Sequence, residues 1–364
     1  MNECQKSNIN TLKIKNHWQK KLIEWYLINK RNLPWRKQIN QNFYSIWLSE
    51  VMLQQTGVKT VIPYYLRFKK KWPNLKSIGE ATLEDILKLW QGLGYYQRAK
   101  NFHKSIQILK NKRIKNYEDL LDLPGVGKYT AAAISAILYD EQVGVVDGNI
   151  KRILSRVFGL NISSKNYIFQ IENIAKNLTP KKNNKFYCQA LMDLGAMICK
   201  PQNPVCCKCP IKKYCFFEKK SSIDESLKIT KRKKKRKYGV VFYIKSNKSV
   251  FIKKSNENFL HGLMKLPHTR FILFKDDHNI ADEQKLLQSF LRDFSICNNY
   301  KNYKPVTHHF TDFYLKLIVV KIELNNNNNK IQNGFWVSEK KIFDYPFSTL
   351  MKKVINRIWA DETF

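Results

Sequence analysis

From about Asn16 to Cys199 apolar residues recur with the period of a helix. Trp18, Leu22, Trp25 and Tyr26 fall on one face of His17–Asn29. The same spacing predicts helices over Ile46–Gln55, Lys59–Lys71, Leu83–Trp90, Gln97–Leu109, Lys128–Leu138, Asn149–Phe158 and Lys185–Ile198. Expected breaks fall at Pro34, Pro63, Pro73, Gly92-Leu93-Gly94, Pro124-Gly125-Val126-Gly127 and Gly144. Beyond Gly239 the texture turns to Val, Ile, Phe and Tyr, which predicts strands over Gly239–Lys245, Ser249–Lys253, Tyr314–Glu323 and Phe335–Val337 and a closing helix over Ser348–Trp359. The expected fold is mainly α: an all-helical domain over residues 1–217, a basic linker over 218–237 and a smaller α+β domain over 238–364. No repeat at a solenoid period is present.

Composition narrows the class. A chain of 364 residues with 43% hydrophobic and 13% aromatic residues can bury two cores, which excludes disorder as its main state. No apolar run approaches the ~18 residues of a membrane helix, and Met1 to Asn16 carries no apolar stretch of the secretory type, so a cytoplasmic protein is expected. Lys and Arg number 65 against 29 Asp and Glu, a net charge of +36 that favours a polyanionic partner. Abundant Asn and Ile and the run Asn325–Asn329 point to codon drift in an AT-rich genome, which inflates Lys everywhere and weakens that inference. Every residue from Lys231 to Lys237 is basic; such a block repels itself and reads as a flexible linker, with phosphate contact as the alternative.

Two constellations carry chemistry. Cys199, Cys206, Cys209 and Cys215 stand six, two and five residues apart, enough for four thiolates to close on one centre. Either a [4Fe–4S] cluster or zinc would fit; only Cys206 and Cys209 form the CxxC pair usual for zinc, which favours the cluster. Cys207 is an adjacent spare, and Cys4, Cys188 and Cys297 read as ordinary thiols. The second constellation begins at Leu123-Pro124-Gly125-Val126-Gly127-Lys128, a tight turn between helices whose amides suit a phosphate. Twenty residues past Gly127 comes Asp147, a good N-cap in its own right. Glu50 lies inside a helix beside apolar Trp47, Val51 and Leu53. Two carboxylates in unlike surroundings are what glycosidic cleavage requires, one protonated and one ionised.

Trp47–Gln55, Trp90–Tyr96, Leu123–Gly127, Val146–Asn149, Met192–Cys199 and the cysteine loop, in this order, resemble the MutY adenine DNA glycosylases of the helix-hairpin-helix superfamily, which also holds endonuclease III. The match is dense over residues 16–215 and loose beyond. The resemblance implies a helix-hairpin-helix glycosylase domain with an iron–sulfur loop and a Nudix-like α+β domain that recognises the mismatch. It implies base excision repair by a monomeric, nucleoid-associated enzyme: adenine opposite 8-oxoguanine or guanine in double-stranded DNA is removed and an abasic site left.

By that resemblance Glu50 is the acid that protonates adenine N7, and Asp147 stabilises the deoxyribosyl cation. Tyr129 and Asn149 support them. Trp35, Arg36, Leu53, Val58 and Gln189 line the pocket for a base flipped out of the stack. Gln55 and Tyr96 wedge into the stack, and Gly125, Gly127 and Lys128 meet the phosphates. Endonuclease III carries its Schiff-base lysine where this chain has Tyr129, so no strand cleavage is expected. The Nudix-like half lacks an acidic metal box. Where the family reads Phe-Ser-His at its recognition loop, this chain reads Phe310-Thr311-Asp312, which keeps the hydroxyl and places an anion near DNA. Two other readings are a bifunctional pyrimidine-damage glycosylase, opposed by Tyr129 and Glu50, and a cluster-bearing DNA-binding protein without catalysis, opposed by the retained carboxylates.

Overall fold

A computed structural model describes residues 17–219, 234–256, 262–273, 280–293, 300–310, 312–324 and 333–362. The chain divides into two compact units, Met1–Glu80 with Asn101–Thr230, and Ala81–Lys100 with Lys231–Phe364. Most of the basic linker, residues 220–233, lies outside the described residues, and so does Thr311.

Up to residue 219 the described chain is helical. Helix α1 spans residues 17–29, followed by α2 (Phe43–Leu53), α3 (Val58–Lys71), α4 (Leu75–Gly79), α5 (Leu83–Trp90), α6 (Tyr96–Leu109) and α7 (Tyr117–Leu121). Then come α8 (Lys128–Tyr139), α9 (Gly148–Phe158), α10 (Tyr167–Leu178), α11 (Asn184–Met197) and the single turn α12 (Phe216–Lys219). One expected break does not occur. Pro63 sits inside α3, where its missing N–H forfeits one bond to the Lys59 carbonyl while buried Val61, Tyr65 and Phe68 keep the helix packed. The core of the first unit is built where the apolar stripes of α1 (Trp18, Leu22, Tyr26), α9 (Ile150, Ile153, Leu154), α10 and α11 (Tyr187, Leu191, Leu194) meet. The three alanines Ala132, Ala133 and Ala136 let α8 approach them closely.

Local chemistry fixes the ends that matter. Gly125, at φ 79, turns the chain between α7 and α8, and a β-carbon there would stand 2.7 Å from the Asn101 Cβ. Gly127 caps α8 without a side chain, so the first amides of that helix have no side-chain acceptor. Asp147 caps α9, its Oδ1 accepting from the Ile150 amide at 2.6 Å.

The second unit holds a mixed sheet of β1 (Lys235–Ser246), β2 (Ser249–Lys254), β3 (Met264–Lys265), β4 (Ile272–Leu273), β5 (Tyr300–His309), β6 (Phe313–Leu324) and β7 (Phe335–Ser338), with helices α13 (Ile280–Asp293) and α14 (Thr349–Glu362). The main path runs β3-β2-β1-β6-β5; β4 adds to β1 and β7 to β2. Only the β1–β6 pairing is parallel among the described strands, running in register from Lys235 opposite Phe313 to Ser246 opposite Leu324. Alternation along β1 sends Val241 and Tyr243 towards Val354, Ile355 and Ile358 of α14, and Val240, Phe242 and Ile244 towards Leu287 and Phe290 of α13. Both faces are therefore buried, which is why β1 reads as a continuous apolar run. β1 begins at Lys235, so the last three residues of the basic run belong to a strand. β3, β4, β5 and α13 add to the elements expected from the sequence. Among the described residues no helix is long and apolar enough to cross a membrane.

Candidate active site

Six segments of the first unit converge on one cavity of about 260 Å³. The stretch before α2, with a 3-10 turn at Pro34–Arg36, contributes Arg31, Trp35 and Arg36, α2 contributes Glu50 and Leu53, and α3 begins at Val58 on its rim. Tyr129 enters from α8, Asp147 and Asn149 from the start of α9, and Gln189 from α11. Every side chain expected in the catalytic group and adenine pocket thus lines one space.

Glu50 is 5% exposed. Its burial, helped by the negative charge of Asp147, pushes its carboxyl up to about 7, against the opposing pull of a hydrogen bond from Tyr129 and the charge of Arg36. The Tyr129 hydroxyl donates to Glu50 Oε2 at 3.1 Å. Burial and the adjacent carboxylates hold that phenol well above its ordinary range, so it stays a donor. Burial also raises Asp147, but bonds from the Ile150 amide and from Asn149 Nδ2, at 3.0 Å, oppose the rise. Burial thus raises both carboxyls, while Asp147 alone accepts an amide and a side-chain amide bond that favour its charged form.

Support reaches deeper than the sequence revealed. Arg152 Nη2 donates to Asn149 Oδ1 and to the Gly195 carbonyl, each at 2.8 Å, while its Nε donates to the Cys199 carbonyl at 2.8 Å. Gln54 Nε2 donates to Thr130 Oγ1 at 3.0 Å and to the Gly125 carbonyl at 3.3 Å, fastening the end of α2 to the hairpin. Gly125, Gly127 and Lys128 are all exposed at that hairpin. Gln55 is exposed with φ 56, in the left-handed region. Tyr96, expected to wedge into the stack, is only 7% exposed, and its hydroxyl accepts from the Gly92 amide at 3.3 Å. The ring that stands out is Tyr95, 43% exposed with φ 48.

Cys199, Cys206, Cys209 and Cys215 line a second, apolar cavity of about 30 Å³, whereas Cys207 is exposed. Among the described residues no three His, Cys, Asp or Glu converge tightly enough for a single ion. Burial pushes Cys206 up to about 11 and Cys209 up to about 12, so they become thiolates only beside a strong positive charge. Arg156 Nη1 donates to Cys199 Sγ at 3.3 Å, while its buried Nε has no partner.

In the second unit Phe310 and Phe313 close the β5–β6 hairpin, with Phe310 N donating to Phe313 O at 2.9 Å and the rings stacked 4.6 Å apart. Asp312 is exposed at its tip.

A helix-hairpin-helix unit with two carboxyls in its cavity, followed by a mixed α/β sheet, defines a class of DNA repair enzyme, and comparison with known proteins agrees. Residues 48–180 match the HhH-GPD superfamily base excision DNA repair proteins, and residues 240–357 match the NUDIX domain. Adenine DNA glycosylase from Buchnera aphidicola subsp. Schizaphis graminum is 34% identical over 349 residues, covering 92% of this chain and 96% of that protein. The Homo sapiens adenine DNA glycosylase is 41% identical over 207 residues, covering 53% of this chain and 38% of that protein. A thermostable thymine-DNA glycosylase structure superposes with a TM-score of 0.52 at 29% identity, over 58% of this chain and 99% of the other. The chain belongs to the adenine DNA glycosylase family.

Proposed function

We propose that this glycosylase excises adenine mispaired with 8-oxoguanine or guanine in double-stranded DNA, acting as a monomer on the nucleoid and leaving the strand unbroken. The helices bearing the cavity form the catalytic half, the linker ends before β1 at Lys235, and the sheet beyond it forms the half that reads the opposite base. A flipped adenine enters the cavity between Trp35, Leu53, Val58 and Gln189. Glu50 gives its proton to N7, so that the base leaves neutral rather than as an anion. Asp147, held by Ile150 and Asn149, places negative charge beside the electron-poor sugar carbon as the glycosidic bond breaks. Tyr129 fixes Glu50 and, carrying no amine, forms no Schiff base. Gln55 enters the gap in the stack, and Tyr95 offers an exposed ring for stacking on a base; Gly125, Gly127 and Lys128 bind phosphate. Phe310 and Thr311 meet the opposite base.

The four cysteines fit a [4Fe–4S] cluster by their shared apolar cavity, and Cys199, Cys206, Cys209 and Cys215 would hold it. Its contribution when bound is structural, tying the loop after α11 to α9. The observation that carries the reading is the pair Glu50 and Asp147 facing one cavity, with Glu50 buried and its carboxyl pushed up by that burial. The test is single-turnover release from duplexes with adenine opposite 8-oxoguanine, guanine or thymine, each product resolved with and without alkali. Adenine release opposite 8-oxoguanine and guanine, with breaks only after alkali, is expected. Strand breaks without alkali would transfer the chemistry to an amine such as Lys128, and absence of release would reduce the protein to DNA binding.

A further inference from the structure

Behind the cavity wall lies a carboxylate that no step above uses. Asp193, on α11, has no exposed side-chain surface and does not line the cavity. It accepts from Arg36 Nη1 at 2.7 Å and Nη2 at 2.9 Å, and from Arg31 Nη2 at 2.6 Å, Nε at 2.7 Å and the amide at 3.1 Å. Both arginines do line the cavity. Arg36 is further held over the Tyr26 ring at 5.5 Å. One buried anion thus orders two cations that face the space where Glu50 works.

We propose that Asp193 is a positioning residue for proton donation: it clamps Arg31 and Arg36 to the cavity wall and offsets their charge, so that Arg36 faces Glu50 with its positive charge partly covered. This rests on Glu50 being the acid. Burial alone would push Asp193 up, but the bonds and charge of Arg36 and Arg31 overcome it and keep the carboxyl ionised below its usual range. The other groups facing Glu50 do not duplicate this. Tyr129 on α8 donates a neutral hydrogen bond, Asp147 before α9 is negative, α3 contributes only Val58, and the Cys188 thiol on α11 is pushed up by burial and remains neutral. Arg36 is the cation whose field reaches Glu50 and favours its ionised form. Uncovering that charge would strip the proton from Glu50 at a pH where it is needed.

The experiment follows adenine release in single turnover from acid to alkaline pH in Asp193→Asn, Asp193→Glu and Arg36→Met, with carboxyl NMR titration of Glu50 in the free enzyme alongside. Asp193→Asn should move the alkaline limb down by about one pH unit, roughly a tenfold loss above the limb. Asp193→Glu should restore it. Arg36→Met, which removes the cation and leaves the anion, should move the limb the opposite way, and it decides the matter if Asp193→Asn does not fold. A fall in rate with the limb and the Glu50 titration unmoved in both variants would overturn the proposal and leave Asp193 a strut. Shifts of opposite sign in the titration, without adenine release by the unaltered enzyme, would instead sink the assigned reaction and keep the clamp.

Discussion

A β-carbon placed on Gly195 would stand 2.5 Å from the Asn149 Cβ, closer than two carbons can approach. The side chain that steadies Asp147 is therefore seated against a bare patch of α11. Gly195→Ala should push Asn149 and its partner Asp147 out of position. Overpacking of this kind costs about 1–3 kcal/mol. We expect a folded protein with a lowered melting temperature and adenine release slowed at least roughly tenfold, while mismatch affinity changes little. Unaltered single-turnover rates would mean that Asn149 does not position the carboxylate.

Glu50 is raised in the folded protein, so its proton stabilises the fold fully below the unfolded value near 4.5, and that stability is lost as pH rises through about 7. Glu50→Gln removes the penalty of burying the charge. The variant should release no adenine yet be more stable than the parent above neutral pH, by up to about 3 kcal/mol, with the advantage vanishing in acid. Thermal melts of both proteins at several pH values check this; parallel curves would contradict it.

Neighbouring tyrosines should separate cleanly. Tyr95→Ala is expected to weaken binding to mismatched duplex about tenfold or more, as loss of one aromatic–base stack does, with little change in melting temperature. Tyr96→Ala should show the reverse, because that ring is buried. Binding and melting measured on the two variants decide it.

Purified protein should be brown. Cys209→Ser should lose the visible absorption and most folded protein with it, whereas Cys207→Ser, altering an exposed thiol, should keep both. Equal colour in the two would reassign the ligands.

Much of this architecture was legible in the chain because α1, α3, α5 and α9 each bury one stripe, and α5 runs from Leu83 to Trp90 as its period predicts, whereas α10 (Tyr167–Leu178) was not among the expected helices. β5 escaped detection because only Tyr303 and Val306 of its ten residues are buried and a bulge between them breaks the alternation. α13 escaped for a similar reason, its described buried contacts being Leu287 and Phe290. Pro63 misled because a missing hydrogen bond is a local cost, and tertiary packing of α3 outweighs it. Within the site, Glu50 stood out by its apolar neighbours. Asp193 has equally apolar neighbours in sequence, but its meaning comes from arginines 157 and 162 positions away, which local pattern cannot register.

The parallel pairing of Lys235 with Phe313 and onward along β1 and β6 also sets the order in which the molecule can be built. Helices α1 and α8 to α11 complete their shared core once the chain has passed Cys215, whereas the centre of the sheet must wait for a partner synthesised far later. A ribosome that stalls before residue 313 therefore releases a chain whose sheet has lost its middle rather than an edge, since β6 lies between β1 and β5. Truncation should erase the second unit all at once.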